Sequence, residues 1–471
     1  MKLFSGAICA LKPYPAMKDS GVPWLGKVPE HWKVERLKSL VSNVVEQTFV
    51  RADSELYVAL EHVEGWTGRL KPAGNDVHFE SQVKRFHAGD VLFGKLRPYL
   101  AKVTRPSQDG VCVGEFFVLR PRASNVCTSY LEQLTRSKPV IDAIDSSTFG
   151  AKMPRADWHF VGGMCLTFPP NNEQSAIVRF LDHADRRIRR YIRAKQKLIK
   201  LLNEQKQAII HRAVTRGLDP NVRLKPSGVE WLGDVPEHWG VERVKNLFRL
   251  RTEKSGMSHG MELLSIYTHI GVRPRKDLEQ KGNRASSTDD YWIVHKDDII
   301  VNKLLAWMGA VGVSAFEGVT SPAYDILKPI RQLFSEYYHH LFRNDIYLQQ
   351  FKRRSRGIMD MRLRLYFDQF GQIPVLVPPV NEQESIISYY GEATAELVKV
   401  GDAAQHEIAL LREYRTRLIA DVVTGKLDVR QAAANLPDEA LGIEDTDQAD
   451  MLAEGDDDID EEELTAVAEE A

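Results

Sequence analysis

Two stretches of this chain are nearly the same: SGVPWLGKVPEHWKVERLKSL at residues 20–40 and SGVEWLGDVPEHWGVERVKNL at residues 227–247. Sixteen of the 21 positions are identical, and the second stretch follows the first by 207 residues. Self-similarity at a fixed period indicates that one structural unit has been duplicated. The 471-residue chain is therefore predicted to contain two copies of a unit of about 207 residues.

Shorter matches continue the repeat at offsets of 208 and 209 residues. They are DVLFGKL at 90–96 with DIIVNKL at 298–304, PPNNEQ at 169–174 with PPVNEQ at 378–383, and TRGLD at 215–219 with TGKLD at 424–428. Because the offset drifts by only two residues, the parts follow one another in the same order in both copies.

Each copy has two parts with different patterns. The first part carries short apolar runs between Gly, Pro and Asn residues, such as 91–93 and 299–301, which are typical of strands. The second part, 172–216 and 381–425, has no proline and predicts one long helix. The fold class is therefore α/β (mixed α+β), with two tandem globular domains that are each followed by a long helix.

The two predicted helices carry heptad stripes that must be buried. Eight of eleven seam positions are apolar in the first helix and nine of eleven in the second. Residues 173–216 hold twelve basic and four acidic residues, a net charge of +8, whereas 382–426 hold five basic and eight acidic residues, a net charge of −3. Opposite charges and the globular part between the helices favour their pairing as an antiparallel coiled coil.

The charge distribution points to a polyanionic partner. From residue 437 to the end there are sixteen Asp and Glu and no Lys or Arg, and without them the chain has 63 basic and 49 acidic residues. A body with a net charge of +14 suits nucleic acid, whereas the tail has the composition of a disordered segment. Four cysteines without zinc-ligand spacing, and no apolar run of membrane length, predict a cytoplasmic protein without membrane contact.

The motifs that resemble catalytic sites are incomplete. GDVLFGKL at 89–96 begins like a phosphate-binding loop, but Leu96 stands where the Mg²⁺-binding Ser or Thr is needed. The Pro-Pro pairs at 169–170 and 378–379 lack the polar and aromatic neighbours of an amino-methyltransferase motif, and we interpret them as rigid helix starts. The chain is therefore predicted to bind rather than to catalyse, and to hold no cofactor of its own.

Basic and aromatic residues at matching places in the two copies are the candidate DNA-binding residues. Arginine, lysine and aromatic side chains near loops suit phosphate contact and base reading. The candidates are Lys95, Arg97, Tyr99, Lys102, Lys152, Arg155, Lys303, Trp307, Arg353, Arg354, Arg356, Arg362 and Arg364.

The Trp-Leu-Gly-x-x-Pro-x-His-Trp openings, the Pro-Pro-x-x-Glu-Gln helix starts and the Thr-x-x-Leu-Asp helix ends resemble specificity subunits of type I restriction–modification systems. The resemblance covers about residues 17–430. It implies two target recognition domains that read the halves of a bipartite, asymmetric site in double-stranded DNA. It also implies that two modification subunits and restriction subunits dock on the chain, and that these partners carry S-adenosylmethionine, ATP and Mg²⁺.

The expected domains follow from the repeat and the resemblance. They are an N-terminal extension at 1–16, target recognition domain 1 at 17–170, a central helical spacer at 171–219, target recognition domain 2 at 220–379, a C-terminal helical spacer at 380–430 and an acidic disordered tail at 431–471. Two alternatives stay open at this stage. One is an autonomous DNA-binding regulator, and the other is a coiled-coil assembly protein that reads no sequence.

Overall fold

The computed structural model describes residues 11–71, 81–122, 124–148, 150, 152–256, 260–268, 271–277, 289–357 and 363–437. These residues divide into two units. Unit 1 contains the described residues up to 196 together with 405–437, and unit 2 contains those of 197–404. Within the described ranges, no helix combines the length and apolar character that a membrane crossing requires.

The first copy of the repeat contains short strands, four short helices and one long helix. They are β1 (Met17–Asp19), β2 (Lys27–Pro29), β3 (Lys33–Arg36), α1 (Leu37–Leu40), β4 (Val41–Val44), β5 (Gln47–Thr48), β6 (Leu56–Val58), β7 (Val83–Phe86), β8 (Val91–Gly94), β9 (Val103–Thr104), β10 (Gly110–Cys112), β11 (Phe116–Pro121), α2 (Thr128–Arg136), α3 (Lys138–Asp145), α4 (Trp158–Gly163), β12 (Cys165–Phe168) and α5 (Asn171–Arg216).

The second copy contains a closely related series. It consists of β13 (Leu224–Pro226), β14 (Asp234–Pro236), β15 (Gly240–Arg243), β16 (Phe248–Leu250), β17 (Leu264–Tyr267), β18 (Gly271–Pro274), β19 (Trp292–Val294), β20 (Ile299–Asn302), β21 (Val311–Val313), β22 (Gly318–Thr320), β23 (Tyr324–Pro329), α6 (Ser335–Phe342), α7 (Asp345–Arg354), α8 (Phe367–Phe370), β24 (Pro374–Val377) and α9 (Val380–Val423). A last helix, α10 (Arg430–Ala434), follows α9. The predicted mixed α/β class and the two long helices are confirmed.

A four-stranded antiparallel sheet forms the centre of each unit. Its strand order is β4-β11-β8-β9 in unit 1 and β16-β23-β20-β21 in unit 2, so the duplication is also present in the topology. Side chains alternate across a strand. In β8, Val91 and Phe93 therefore pack into the core that contains α2 and α3, whereas Leu92 packs into a smaller core on the opposite face. Ile299 and Ile300 divide between two cores in the same way in unit 2.

In unit 1 the repeated opening motif and the Pro-Pro-x-x-Glu-Gln motif contact each other. The indole N–H of Trp32 donates to Glu173 Oε1 at 3.0 Å, and Nε2 of His31 lies 2.8 Å from Glu173 Oε2. The hydroxyl of Tyr14 also donates to Glu173 Oε1, at 2.5 Å. A buried carboxylate needs such partners. Gln174 completes the contact, accepting from the Cys127 amide at 2.8 Å and donating to the Pro169 carbonyl at 2.8 Å.

Unit 2 repeats the same contact with fewer partners. Glu382 accepts from the indole N–H of Trp239 at 3.0 Å and lies 2.7 Å from Nε2 of His238. Gln383 accepts from the Phe334 amide at 2.9 Å and donates to the Pro378 carbonyl at 2.8 Å. The repeated motifs are thus two halves of one hydrogen-bonded junction between the start of a globular part and the start of a long helix.

A buried tyrosine in each unit donates a hydrogen bond to the last turn of a long helix. Tyr130 donates to the carbonyl of Val423 at 3.2 Å, and Tyr337 donates to the carbonyl of Val214 at 2.8 Å. The end of α9 thereby belongs to unit 1 and the end of α5 to unit 2. Gly425 follows α9 with φ +77°, and a Cβ there would lie 2.3 Å from Cδ of Pro29. Only glycine fits so close an approach in this backbone conformation.

The long helices pair in opposite directions, as predicted. In unit 1, Asp185 of α5 accepts from Arg415 of α9 at 2.5 Å, and Lys195 pairs with Glu407 at 2.8 Å. Asp185 precedes Lys195 on α5, whereas Arg415 follows Glu407 on α9, so the two helices run antiparallel here. In unit 2 the end of α5 and the start of α9 share one apolar core, which includes Ile386.

Two segments predicted to lie outside the fold are partly built into it. The extension predicted at 1–16 includes Tyr14, which is buried beside Glu173. Residues 431–434, which fall in the predicted tail, belong to α10, and the side chains of Ala433 and Leu436 are buried. The composition of these segments does not predict that they join the fold, because each adds only one or two apolar side chains to a core formed by residues far away in sequence. The tail from 438 onward and residues 1–10 lie outside the described residues.

Candidate nucleic-acid interface

In unit 1 the loop after β8 and the segment before α4 are held together by backbone hydrogen bonds. The carbonyl of Lys95 accepts from the amide of Ala156 at 2.8 Å, and the amide of Arg97 donates to the carbonyl of Pro154 at 2.8 Å. The amide of Lys95 donates to the carbonyl of Glu115 at 2.9 Å. The fold therefore brings the two predicted groups, Lys95–Tyr99 and Lys152–Arg155, onto one surface.

Four of these side chains are exposed. They are Arg97, Tyr99, Lys152 and Arg155. Arg97 has a left-handed backbone with φ +49°, which is uncommon for a residue with a side chain and occurs most often where function or the surrounding structure requires it. Arg155 pairs with Glu115 at 3.1 Å, but both side chains reach solvent, so the pair is weak and exchangeable. This surface offers cationic and aromatic groups to a ligand in solution.

Lys102, another of the six candidates in unit 1, is engaged by the protein itself. Its ammonium donates to the carbonyl of Leu60 at 2.6 Å. Burial lowers the pKa of this ammonium, while Glu61 raises it. The side chain therefore holds the residue before β9 to the 3-10 helix Leu60–His62, and it is only partly exposed.

Unit 2 repeats the junction between the two loops. The carbonyl of Lys303 accepts from the amide of Leu365 at 2.8 Å, which corresponds to the bond between Lys95 and Ala156. Arg356 and Arg364 exchange two backbone hydrogen bonds, both of 2.9 Å. The predicted groups are thus brought together here as well. The same backbone arrangement supports different side chains in the two units.

The lysine of this junction is neutralised in unit 2. The ammonium of Lys303 lies 3.3 Å from Asp325 and donates to the carbonyl of Pro322 at 2.9 Å. Burial raises the pKa of the Asp325 carboxyl, and Lys303 lowers it. Lys303 therefore pairs with the buried carboxylate of Asp325. This structural role is an alternative to its predicted contact with DNA.

Trp307, which follows Lys303 closely in the chain, forms a pair with a cation from a distant helix. The ammonium of Lys352 lies 4.7 Å from the centroid of a ring of Trp307, a favourable cation–π geometry. Trp307 is in the short 3-10 helix Ala306–Met308, and Lys352 is in the last turn of α7. Sequence reasoning missed Lys352, although it adjoins Arg353, because only the packing of α7 on this loop brings it to the tryptophan.

The arginines after Lys352 differ in exposure. Arg353 and Arg356 are exposed, whereas Arg354 and Arg364 are half-buried. Arg356 pairs with Asp368 at 2.7 Å, with both side chains more than half exposed. Lys352, Arg353 and Arg354 lie in the last turn of α7, where positive charge interacts favourably with the helix dipole. Their presence there thus has a structural explanation as well. Arg362, the remaining candidate, lies outside the described residues.

The protein is thus an α/β protein in which one scaffold occurs twice, with different exposed side chains in the two copies. The chain is similar to the specificity subunit of the type I restriction enzyme EcoDI from Escherichia coli, with 26% identity over 176 residues, 35% of this chain and 38% of that one. It is also similar to the MjaVIII specificity subunit from Methanocaldococcus jannaschii, with 20% identity over 241 residues, 48% of this chain and 52% of that one. The chain spans about two fifths and about half of the length of these relatives.

One solved structure shares the fold. A chain from a structural study of complex assembly and conformational transition of the type I R-M system matches with a TM-score of 0.59 at 18% identity, over 85% of this chain and 99% of that one. No family model matches the chain. The resemblance to type I specificity subunits, which the repeated motifs predicted, is confirmed by these comparisons.

Proposed function

We propose that this chain is the sequence-reading subunit of a type I restriction–modification enzyme. It would recognise a bipartite, asymmetric site in double-stranded DNA. The observation that carries the proposal is the repeated junction between two loops, which presents Arg97 and Tyr99 in one unit and Trp307 and Arg353 in the other. The similarity of the chain to two relatives that are specificity subunits of type I restriction enzymes supports it.

Each unit would bind one half of the site. Cationic side chains contact phosphates and fix the register, whereas arginine forks and aromatic groups at the groove read base edges. Because the backbone of the junction is held by hydrogen bonds in both units, little order needs to be gained on binding. Since the exposed side chains differ, the two half-sites have different sequences, and the complete site is asymmetric.

The partners in this proposal are two modification subunits and restriction subunits. The chain itself has no catalytic site in our proposal. S-adenosylmethionine is bound by the modification subunits, and ATP and Mg²⁺ are bound by the restriction subunits. We place the assembly in the cytoplasm, which agrees with free thiols at Cys112, Cys127 and Cys165 among the described residues.

The test is methylation in the native host. Methylome sequencing of the wild type and of a strain lacking this chain should reveal one bipartite motif that disappears with the chain. Exchanging residues 41–168 for the equivalent part of a relative with another specificity should change one half of the motif and keep the other. A motif that survives deletion of the chain, or an exchange that alters both halves equally, would contradict the proposal.

A biochemical test addresses catalysis and the alternatives. Highly purified chain alone should transfer no methyl group to DNA, and the same DNA should be methylated once modification subunits are added. Co-purification from the host should recover these subunits. A chain that purifies alone and binds one contiguous operator would instead favour an autonomous regulator.

A further inference from the structure

Three potential metal ligands lie together on α6 in unit 2 and have no role in the proposed interface. Glu336, His339 and His340 stand at positions i, i+3 and i+4, so they share one face of the helix. One ligand atom from each lies within 4.8 Å of the others. A carboxylate and two imidazoles at this spacing are a donor set that divalent transition-metal ions prefer.

The electrostatics of the cluster suit a cation. Burial and Arg343 lower the pKa of His340 to about 4, and burial lowers the pKa of His339 well below its ordinary value. Burial and the nearby carboxylate of Asp297 raise the pKa of Glu336. Within the described residues Glu336 has no cationic partner that would offset its charge.

The first copy of the repeat has a different set of side chains at these three positions. On α2, the residues equivalent to Glu336, His339 and His340 are Ser129, Glu132 and Gln133. Glu132 pairs with Arg136 at 2.7 Å and with Arg105 at 3.4 Å.

In unit 2, His339 stands at the position of Glu132. Arg343, which corresponds to Arg136, donates to the backbone carbonyls of Gly309 at 3.0 Å and of Thr268. The arginine is thereby engaged by backbone oxygens.

We propose that Glu336, His339 and His340 bind one divalent transition-metal ion of the zinc class. The three residues supply three ligands, and water fills the remaining position. The ring of His340 is already fixed against Tyr390, with centroids 4.8 Å apart. Nδ1 of His339 accepts from the amide of Val313 at 3.3 Å, a long bond that a metal at this nitrogen replaces. Binding converts Glu336 to a paired carboxylate and ties α6 into one conformation.

The experiment uses the untagged full-length chain after dialysis against a chelator. Calorimetric titration with Zn²⁺ should show one saturable site, and Co²⁺ should give the visible absorption band of a site with imidazole ligands. Glu336→Gln and His340→Gln, which nearly keep side-chain shape, should each weaken binding at least tenfold. The control His159→Gln, on the surface of unit 1, should leave it unchanged.

Two results would overturn the proposal. One is the absence of saturable Zn²⁺ binding and of a Co²⁺ band in the wild type. The other is wild-type affinity in both folded variants, as judged by circular dichroism. Two variants are used so that a folding defect in one leaves the other informative. No DNA enters the experiment, so its outcome is independent of the proposed function.

Discussion

The loop junctions of unit 1 and unit 2 are alike in backbone and different in side chains. The same hydrogen bond joins Lys95 to Ala156 and Lys303 to Leu365, at 2.8 Å in both units. In unit 1 the exposed groups after the strand are Arg97 and Tyr99, the latter 45% exposed. In unit 2, Trp307 takes this place, and Lys352 of α7 lies against its ring. The duplication therefore kept the groups that hold the loops and allowed the exposed ones to diverge.

The buried glutamates at the starts of the long helices provide the test with the largest expected effect. The side chain of Glu173 is 4% exposed and has three partners, whereas that of Glu382 is 24% exposed and has two. Glu173→Ala should lower the free energy of unfolding by about 3 kcal/mol and Glu382→Ala by about 1 kcal/mol, because more buried donors lose their acceptor in unit 1. Urea denaturation of the full chain measures both.

The control is Glu396→Ala, at a position where the side chain is 79% exposed. Its effect should be within the error of the denaturation midpoint. Equal losses for Glu173→Ala and Glu382→Ala would show that burial and the number of partners do not distinguish the two junctions.

The arginines of unit 2 should affect one half-site only. Replacing Arg353, Arg354 and Arg356 together by Ala should weaken binding of the second half-site by at least tenfold, because cationic and fork-shaped contacts are lost there. Preference at the first half-site should be unchanged. Binding of the assembled complex to DNA with substitutions in either half measures the effect. Arg417→Ala, at an exposed position on α9, is the control, and an equal loss at both halves would contradict the prediction.

Acidification should destabilise unit 2 more than unit 1. Since burial lowers the pKa of His339 and His340 in the folded chain, the unfolded chain binds these protons first, near pH 6.5. The contribution of the neutral His340 ring is complete above this pH and is lost as the pH falls toward about 4, and the lowered pKa of His339 acts in the same direction. The raised pKa of Glu336 acts in the opposite direction at the acid end.

Thermal unfolding at about pH 7 and about pH 5.5, with a chelator present, tests this difference. The variant His340→Gln introduces the residue type found at the matching place in unit 1. It should lose less stability on acidification than the wild type does. An identical loss in both proteins would show that His340 does not cause the pH dependence.

Removal of the acidic tail should have the smallest effect on sequence choice. Ending the chain after Pro437 keeps α10 and the bond from Arg179 to the carbonyl of Leu436 at 3.0 Å. The methylated motif should be unchanged, because the tail lies outside the repeat. Attraction to DNA of any sequence should increase at low salt, since sixteen negative charges are removed. A changed motif in the methylome of the truncated strain would refute this.

Part of the candidate interface follows from short-range sequence patterns, because the residues of each group lie close in sequence. The pattern predicts two groups, Lys95–Tyr99 and Lys152–Arg155, and the fold joins them through Arg97 and Pro154, whereas their contact with DNA stays a prediction. The engagement of Lys102 by a backbone carbonyl, and of Lys303 by Asp325, could not be predicted. Both contacts depend on which segment packs beside the ammonium, a strand for Lys303 and a 3-10 helix for Lys102, and no local sequence pattern predicts that.

The sequence by itself determined the duplication, the α/β class and the two antiparallel helices, because repeats, heptad stripes and helix charges are properties of the chain read in order. It also identified the motifs that the junctions require, although not the reason for them. Only the tertiary structure decided that Glu173 accepts from Trp32 and Tyr14, and that the end of α9 belongs with the first globular part. These contacts join residues more than 140 positions apart. Their partners are chosen by the packing of whole elements, which a one-dimensional pattern does not encode.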